Sequence, residues 1–351
     1  MKSEPTASRR AWGFEDGEGP RQPFVLGVDV VPKNRRSAGL SRSDPYTTGI
    51  SAVCGPSWLN VNVARCGMPC HSEAMQQPSR TARMVAALRA RATERETPLC
   101  DDPFARALAG PRGFEDAARY EQGYPHIELF VALRTALFDQ ETRRWLARGC
   151  TQVVLLGAGL DTRAARLGQK GVRFFEVDHP TTQADKLARL SALPGYPFEN
   201  ATYVPCDFAV NDFVERLDSS GFLAEQPALL IWEGVTYYLE EPAVRATLRR
   251  IAEKLHPSSV ILFDHVGKRM GQGNVRDASA IAARDNVAEM GEPVVFGVDH
   301  VLPMLYEEGF RRARCASFDE IALNLTGTYD RARTFRFQHA VVASVAEDVW
   351  A

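Results

Sequence analysis

The chain has 351 residues, of which 45% are hydrophobic and 25% are charged, and its formal net charge is −2. A chain of this size and composition buries a substantial core without a metal or disulfide framework. The near-zero net charge gives no global electrostatic reason to expect nucleic acid or an anionic membrane as a partner. No apolar run reaches the roughly 20 residues of a membrane helix, and the amino terminus lacks a signal-peptide pattern. Seven cysteines without repeating spacing indicate free thiols and a cytoplasmic location.

Residues 1–74 are rich in Gly, Pro, Ser and Arg, and prolines interrupt the stretches that would begin a periodic element. This composition predicts little stable structure. The cysteines of this region lack a second ligand pair at zinc-finger spacing, so no metal site is expected. Met75 directly precedes the first well-patterned helix, and we interpret residues 1–74 as a disordered or non-native extension. The working domain then covers residues 75–351.

A helical cap is predicted over residues 75–149, before the first strand. Ser79 is a suitable N-cap for the first helix. A second helix is predicted over residues 126–148, and Gly149 suits its carboxyl end. Arg134 interrupts the apolar stripe of this second helix. A buried guanidinium needs an anionic partner, although an internal salt bridge or a side chain that reaches solvent would also explain the position.

From residue 150 the chain alternates short β-rich runs with helical segments, which predicts an α/β core over residues 150–345. We expect a doubly wound, mostly parallel sheet with helices on both faces and an antiparallel strand at its carboxyl-terminal end. The first five predicted strands occupy residues 153–156, 172–177, 202–205, 228–232 and 260–263. A helix over residues 301–308 and closing strands over residues 311–318 and 335–345 follow. Residues 267–297 are long for a connection after a strand, which indicates an insertion.

The first predicted strand is followed by the glycine turn Gly157-Ala158-Gly159. In a doubly wound sheet a ligand binds at the carboxyl ends of the strands, near the point where the strand order reverses. Gly157 and Gly159 allow a sharp turn and a close approach of the backbone to that ligand. Thr162 occupies the place of the third glycine of a dinucleotide-binding fingerprint, and no phosphate-loop lysine follows. The turn therefore indicates a nucleotide-like ligand without a pyrophosphate-binding motif.

Acidic residues end the next three predicted strands. Asp178 ends the second strand, where a carboxylate can accept hydrogen bonds from both hydroxyls of a ribose, although Asp178 would also suit as a cap of the following helix. Asp207 ends the third strand and is suited to an adenine amino group, with Phe208 packing on the ring. Glu233 ends the fourth strand, where it would meet the cationic end of the ligand or place a substrate. One such acid is common at a turn, but three at one edge indicate a binding site.

Four groups of motif residues occur in a fixed order along the chain. They are Gly157-Ala158-Gly159-Leu160-Asp161-Thr162-Arg163, Phe175-Glu176-Val177-Asp178, Asp207-Phe208, and Glu233-Gly234 with Tyr238-Leu239. Together they resemble the leucine carboxyl methyltransferase family and, more closely, its bacterial branch. The resemblance implies a class I methyltransferase with a Rossmann-like sheet and with S-adenosyl-L-methionine as cofactor. It implies that Arg134 binds the methionine carboxylate of the cofactor, and that the remaining contacts come from Gly157, Asp178, Asp207, Phe208 and Glu233.

Methyl transfer from a sulfonium requires orientation more than acid–base chemistry. A carboxylate acceptor needs no general base, whereas a hydroxyl acceptor needs one, and His265 at the end of the fifth predicted strand is the candidate unless it is a structural histidine. We expect O-methyl transfer to a small-molecule or protein carboxylate, or to a hydroxyl, with residues 267–297 and the cap covering the acceptor. The alternatives are a nucleotide-cofactor oxidoreductase of the same architecture and a binding protein without turnover.

Overall fold

The computed structural model describes residues 77–208, 210–328 and 333–347 of the protein. The interpretation of residues 1–74 as an extension lies outside these residues, as does Met75. Within them, three long helices precede the first strand and form the cap. They are α1 (Arg80–Thr93), α2 (Ala105–Gly123) and α3 (Ile127–Ala147). No helix in these three ranges is long and apolar enough to cross a membrane.

The ends of the cap helices follow local signals in the sequence. The Ser79 hydroxyl accepts a hydrogen bond from Ala82 N at 3.0 Å and caps α1. Gly149 follows α3 in the left-handed region, with φ +88°. The sequence pattern does not predict α2, because Gly110 and Pro111 interrupt it. Gly110 has φ +59°, and the helix is kinked there.

A seven-stranded sheet follows the cap within the described residues. Its strands are β1 (Gln152–Leu156), β2 (Arg173–Asp178), β3 (Ala201–Pro205), β4 (Leu229–Trp232), β5 (Val260–Val266), β6 (Arg312–Ser317) and β7 (Gln338–Ser344). The spatial order is β3-β2-β1-β4-β5-β7-β6. The first five strands of the chain are parallel, and β7 runs antiparallel to both β5 and β6. This arrangement confirms the predicted doubly wound, mostly parallel sheet with an antiparallel strand near its carboxyl-terminal end.

Helices cover both faces of the sheet. After the cap, the helices of the described residues are α4 (Arg163–Leu167), α5 (Pro180–Ser191), α6 (Phe213–Asp218), α7 (Glu241–Lys254), α8 (Lys268–Gly271), α9 (Ala278–Glu289), α10 (Val301–Glu307) and α11 (Phe318–Thr326). Successive side chains of a strand face opposite sides of the sheet. Val153 and Leu155 accordingly pack with the cap, α5 and α11, whereas Val154 and Leu156 pack with α6, α7 and α10.

The strand order reverses between β1 and β4, which lie side by side at the centre of the sheet. The chain segments that leave the carboxyl ends of these two strands diverge, and a crevice forms between them. The glycine turn follows β1, and Glu233 follows β4. The sheet therefore brings these two predicted features to one place.

Residues 267–297 follow β5 and contain α8 and α9. Gly123, at the end of α2, lies against α9, because a methyl group added to Gly123 would approach a side chain of that helix to 2.7 Å. Farther along, the amides of Val295 and Phe296 donate to the carbonyl oxygen of Tyr237 at 2.9 and 3.2 Å. The insertion thus packs on the cap and crosses the turn that follows β4.

Replacing Glu292 with alanine is expected to loosen the insertion from the cap. The Glu292 carboxylate accepts hydrogen bonds from the hydroxyl of Ser79, at 2.7 Å, and from that of Thr81. Hydrogen bonds to a charged group contribute about 1.5–3 kcal/mol each, so amide hydrogen exchange should become faster in residues 278–296. Glu289→Ala, which breaks an exposed ion pair between the insertion and α2, is the control. Exchange in Glu292→Ala as slow as in this control would contradict the prediction.

Candidate active site

The backbone of the glycine turn is held closely against its neighbours. Gly157 has φ +66° and Gly159 has φ +48°, a region that residues with side chains rarely occupy. Gly157 N donates to Val177 O at 2.8 Å, which ties the turn to the end of β2. A methyl group added to Gly157 would lie 2.6 Å from a methyl carbon of Val235. The geometry of the turn therefore requires glycine at both predicted positions.

Asp178, at the end of β2, faces the glycine turn. Its carboxylate accepts hydrogen bonds from Gly159 N and from His179 N, the latter at 2.6 Å, and burial raises the pKa of Asp178. The side chain that caps α5 is that of His179, whose ring accepts from Thr181 N. Asp178 is therefore not the cap of the following helix. A carboxylate has about four acceptor sites, so Asp178 can accept further hydrogen bonds.

Asp207 and Phe208 follow β3, next to the end of β2. The Asp207 side chain is 37% exposed, and its Oδ2 lies 3.8 Å from Nε2 of His179, the residue after Asp178. Phe208 is half-buried, with its ring centroid 6.3 Å from that of Phe213 in α6. The ends of β2 and β3 thus bring three of the predicted residues to one edge of the sheet.

Glu233, directly after β4, lies between two buried arginines. Its Oε1 accepts from Arg134 Nε at 2.9 Å, and its Oε2 lies 2.7 Å from Arg163 Nη1. Arg134 belongs to α3 in the cap, whereas Arg163 begins α4 after the glycine turn. One carboxylate therefore holds together the cap, the turn and the end of β4. The sequence predicts Arg134 and Glu233 at the site, but it does not show that they pair with each other.

Arg134 uses three of its five N–H groups in hydrogen bonds within the protein. Nε donates to Glu233, and Nη1 donates to the Tyr237 hydroxyl and to Asp264 Oδ2, both at 3.1 Å. Nη2 donates no hydrogen bond to the part of the chain that the structure describes, and a methyl group added to Gly234 would lie 3.3 Å from it. Burial alone would lower the pKa of Arg134, but Tyr237, Asp264 and Glu233 raise it well above its usual value. Arg134 is thus a permanent cation with one nitrogen left for an anionic ligand.

A buried ionic network extends from this site into the cap. Arg163 Nε donates to Asp139 Oδ1 at 2.7 Å, and Arg163 also pairs with Asp161. Arg89 in α1 donates to Leu160 O, in the glycine turn, at 2.5 Å. Charged groups as well as apolar side chains therefore attach the cap to the turn. Sequence reasoning assigned no role to Arg163 or Asp139, because a charged residue in a helix gives no local sign of its partner.

Asp264 and His265 are consecutive in β5 and face opposite sides of the sheet. Asp264 contacts Arg134, whereas the His265 ring stacks on His339 of β7, with ring centroids 5.1 Å apart and planes at 11°. Burial, followed by the neighbouring His339, lowers the pKa of His265 to about 3. A buried, neutral imidazole on the other face gives no geometric support to the predicted general base, which stays a prediction. Asp264 is the residue of β5 at the site, and sequence reasoning missed it.

Residues 82–252 match the family model for leucine carboxyl methyltransferase. A relative from Mycolicibacterium smegmatis, provisionally named an S-adenosyl-L-methionine-dependent methyltransferase, is 34% identical over 226 residues, which are 58% of this chain and 76% of the relative. The chain belongs to the leucine carboxyl methyltransferase family. A second relative with the same provisional name, from Mycolicibacterium vanbaalenii, is 31% identical over 246 residues, 66% of this chain and 77% of the relative.

Two solved structures share the fold of this member of the leucine carboxyl methyltransferase family. A DUF574 family protein from Streptomyces avermitilis has a TM-score of 0.56 and 13% identity, with 77% of this chain and 98% of that protein covered. A provisionally named methyltransferase from Thermobifida fusca has a TM-score of 0.55 and 14% identity, with 78% and 97% covered. Family membership confirms the predicted enzyme class, a methyltransferase with S-adenosyl-L-methionine as cofactor. It leaves the oxidoreductase alternative without support.

The stability that Asp161 contributes is expected to depend on pH. Burial alone would raise the pKa of Asp161, but Arg163, Arg166 and other nearby cations lower it to about 2. A carboxyl group whose pKa is lower in the folded state stabilises the protein above its unfolded pKa, about 3.9, and this contribution disappears as the pH falls through about 2. The difference in free energy of unfolding between the wild type and Asp161→Asn, measured by urea titration, should therefore shrink by about 2 kcal/mol from about pH 5 downwards. A difference that is constant or grows would show that Asp161 is not stabilised as an anion.

Proposed function

We propose that the protein transfers a methyl group from S-adenosyl-L-methionine to an oxygen atom of its acceptor, and that the acceptor group is a carboxylate. The observation that supports the choice of methyl donor is the arrangement of charges at the carboxyl edge of the sheet. Asp178 and Asp207 offer carboxylate oxygens at neighbouring strand ends, and Arg134 offers one unpaired nitrogen across the crevice. This arrangement is complementary to a ligand with hydroxyl and amino donors at one end and a carboxylate at the other.

Three kinds of polar group of the cofactor have a counterpart among the described residues. The ribose hydroxyls donate, and Asp178 keeps acceptor sites beyond its two backbone hydrogen bonds. The adenine amino group donates, and the partly exposed Asp207 lies at the next strand end. The methionine carboxylate needs a cation, which Arg134 Nη2 supplies. Gly157 and Gly159 carry no side chain, so the backbone of the turn can lie against the ligand. The residues present therefore fit S-adenosyl-L-methionine.

Glu233 contributes to this pocket through the arginines. Both of its oxygens are engaged, one by Arg134 and one by Arg163. Each carboxylate oxygen can accept a second hydrogen bond, so Glu233 can also meet the ammonium group of the methionine end. In this arrangement Glu233 mainly orients Arg134, through the hydrogen bond from Nε.

Two tyrosines near Arg134, and His265 on the other face of the sheet, favour an acceptor that is already an anion. The bound cofactor supplies a methyl group activated on a sulfonium, and the protein has to hold the acceptor oxygen in line and exclude water. Burial raises the pKa of Tyr237 and of Tyr238, so both phenols stay protonated near neutral pH. The pKa of His265, about 3, is too low for a base near neutral pH. A carboxylate acceptor needs no proton removed, which favours it over a hydroxyl.

The acceptor side of the site is formed by the cap and the insertion of residues 267–297. The insertion reaches the turn after β4 through the two hydrogen bonds to the carbonyl oxygen of Tyr237. Both a small-molecule carboxylate and a protein carboxylate remain compatible with this edge. With a formal net charge of −2, the chain gives no electrostatic reason to expect nucleic acid as the acceptor. Its scattered cysteines still favour a cytoplasmic location.

Replacing Asp178 with asparagine should weaken the binding of S-adenosylhomocysteine at least about 100-fold. The variant keeps the size of the side chain but removes the charge that accepts the two ribose hydroxyls, and each hydrogen bond to a charged group contributes about 1.5–3 kcal/mol. Isothermal titration calorimetry measures the affinity. The control is Asp185→Asn in α5, which removes a carboxylate that pairs with Arg189 on the same helix. Wild-type affinity in a folded Asp178→Asn protein would refute the ribose assignment.

The chemistry of the transferred methyl group distinguishes the acceptor classes. Carboxyl methyl esters release methanol in mild base, whereas methyl ethers and methylated amines do not. Wild-type protein incubated with methyl-labelled S-adenosyl-L-methionine and an extract of the source organism should produce label that mild base releases as methanol. Asp178→Asn should lose this product. Base-stable label that the wild-type protein adds and Asp178→Asn does not would overturn the carboxylate proposal. Tight S-adenosylhomocysteine binding without any transfer would instead favour a binding protein without turnover.

A further inference from the structure

Asp264 connects the two sides of the crevice through its two carboxylate oxygens. Oδ2 accepts from Arg134 Nη1 at 3.1 Å, and Oδ1 accepts from Gly234 N at 2.6 Å. The carbonyl oxygen of Asp264 accepts from the Thr236 hydroxyl, also at 2.6 Å. Its side chain is 2% exposed. One residue of β5 thus contacts the arginine from the cap and the backbone that directly follows Glu233.

We propose that Asp264 is a positioning residue, which fixes the guanidinium plane of Arg134 so that Nη2 alone faces the cofactor carboxylate. This inference rests on the proposed function. It concerns a residue outside the region that matches the family model, which ends at residue 252. Asp264 itself does not contact the cofactor in this proposal and acts through Arg134.

Two anchors are needed to fix a planar group, and the structure provides them on different strands. Glu233 holds Nε at 2.9 Å, and Asp264 holds Nη1. With Glu233 alone, the guanidinium could still tilt about the Nε–H···Oε1 direction, which would move Nη1 and Nη2 out of place. The Tyr237 hydroxyl also accepts from Nη1, but a neutral hydroxyl binds a cation more weakly than a carboxylate does. Asp264 is therefore the charged anchor of Nη1.

The guanidinium of Arg134 also packs against Gly234, which further restricts its orientation. A methyl group added to Gly234 would lie 3.2–3.4 Å from Nη1, Nη2 and Cζ of Arg134. The guanidinium therefore lies directly against the backbone of Gly234, and the Gly234 amide donates to the same Asp264 that holds Nη1. An aspartate is required there, because asparagine offers one oxygen and one NH2 group to two donors. In either orientation its NH2 group would face an N–H donor.

Asp264→Asn tests the proposal with two ligands that differ in the amino-acid part. S-adenosylhomocysteine carries the methionine-type carboxylate, whereas 5′-methylthioadenosine keeps the adenosine and the thioether but lacks that carboxylate. Loss of one partner of a buried, charged hydrogen bond costs about 2 kcal/mol or more, which corresponds to about 30-fold in affinity. Calorimetry should therefore show a loss of about 30-fold for S-adenosylhomocysteine and a nearly unchanged affinity for 5′-methylthioadenosine.

Equal losses for both ligands would overturn the proposal, because they indicate general damage to the pocket. An unchanged affinity for S-adenosylhomocysteine would overturn it as well. The control is Glu308→Gln, which removes a buried carboxylate that pairs with Arg245 and Arg249 away from the site. Failure of the wild type to bind S-adenosylhomocysteine would refute the proposed function instead, so the two failures are distinguishable.

Tyr237→Phe provides a second test in case Asp264→Asn does not fold. It removes a single hydroxyl, the other acceptor on Arg134 Nη1, and leaves the buried charges in place. A loss of a few-fold, confined to S-adenosylhomocysteine, would support the view that contacts to Nη1 orient Arg134. No loss, or the same loss for 5′-methylthioadenosine, would overturn it.

Discussion

The carboxylate of Glu233 is the constraint on which the site depends, because it compensates two buried guanidinium groups at once. Arg134 Nε and Arg163 Nη1 lie 2.9 and 2.7 Å from its two oxygens. Leaving one partner of a buried pair uncompensated costs about 3–5 kcal/mol. The cap helix α3, the helix α4 and the end of β4 therefore have one arrangement in which all three charges are compensated. Ion pairing therefore acts together with apolar packing to set the position of the cap relative to the sheet, at the point where the strand order reverses.

The proposed binding of the cofactor gives the buried network around Glu233 a reason that stability alone does not. Arg163 alone pairs with three acids, namely Asp139, Asp161 and Glu233, and buried ion pairs are often no more stable than apolar packing of similar volume. A zwitterionic ligand binds most tightly when the protein already holds charges of both signs at fixed positions. If these side chains had to rearrange on binding, the affinity for the ligand would fall. The network holds arginine and carboxylate groups at such fixed positions, although these charges are buried.

Local patterns in the sequence predict most of the fold, the glycine turn and the acids at the strand ends. The alternation of apolar strands and helices predicts a parallel sheet, and the glycine turn and the acids at strand ends are then expected at one edge of it. In the structure Gly159 donates to Asp178. Gly157 lies against Val235, two residues after Glu233. The sequence pattern does not predict helix α2, because a kink at Gly110 interrupts its helical periodicity. The sequence does not reveal the role of Asp264 for another reason. Asp264 and His265 are neighbours in β5 and face opposite sides of the sheet. Only the contact between Asp264 and Arg134 on α3 shows that Asp264 is the one that faces the crevice.

Tyr237 joins Arg134, proposed to bind the cofactor, to the insertion of residues 267–297, proposed to cover the acceptor. Its hydroxyl accepts from Arg134 at 3.1 Å, while its carbonyl oxygen accepts from the amides of Val295 and Phe296 in the insertion. The two groups belong to one residue in a short turn after β4, so the insertion cannot shift there without breaking these hydrogen bonds or moving the residue that contacts Arg134. The surface proposed to meet the acceptor and the arginine proposed to bind the cofactor are therefore parts of one packed unit. This explains why the cap, the turn and the insertion converge on the carboxyl end of β4.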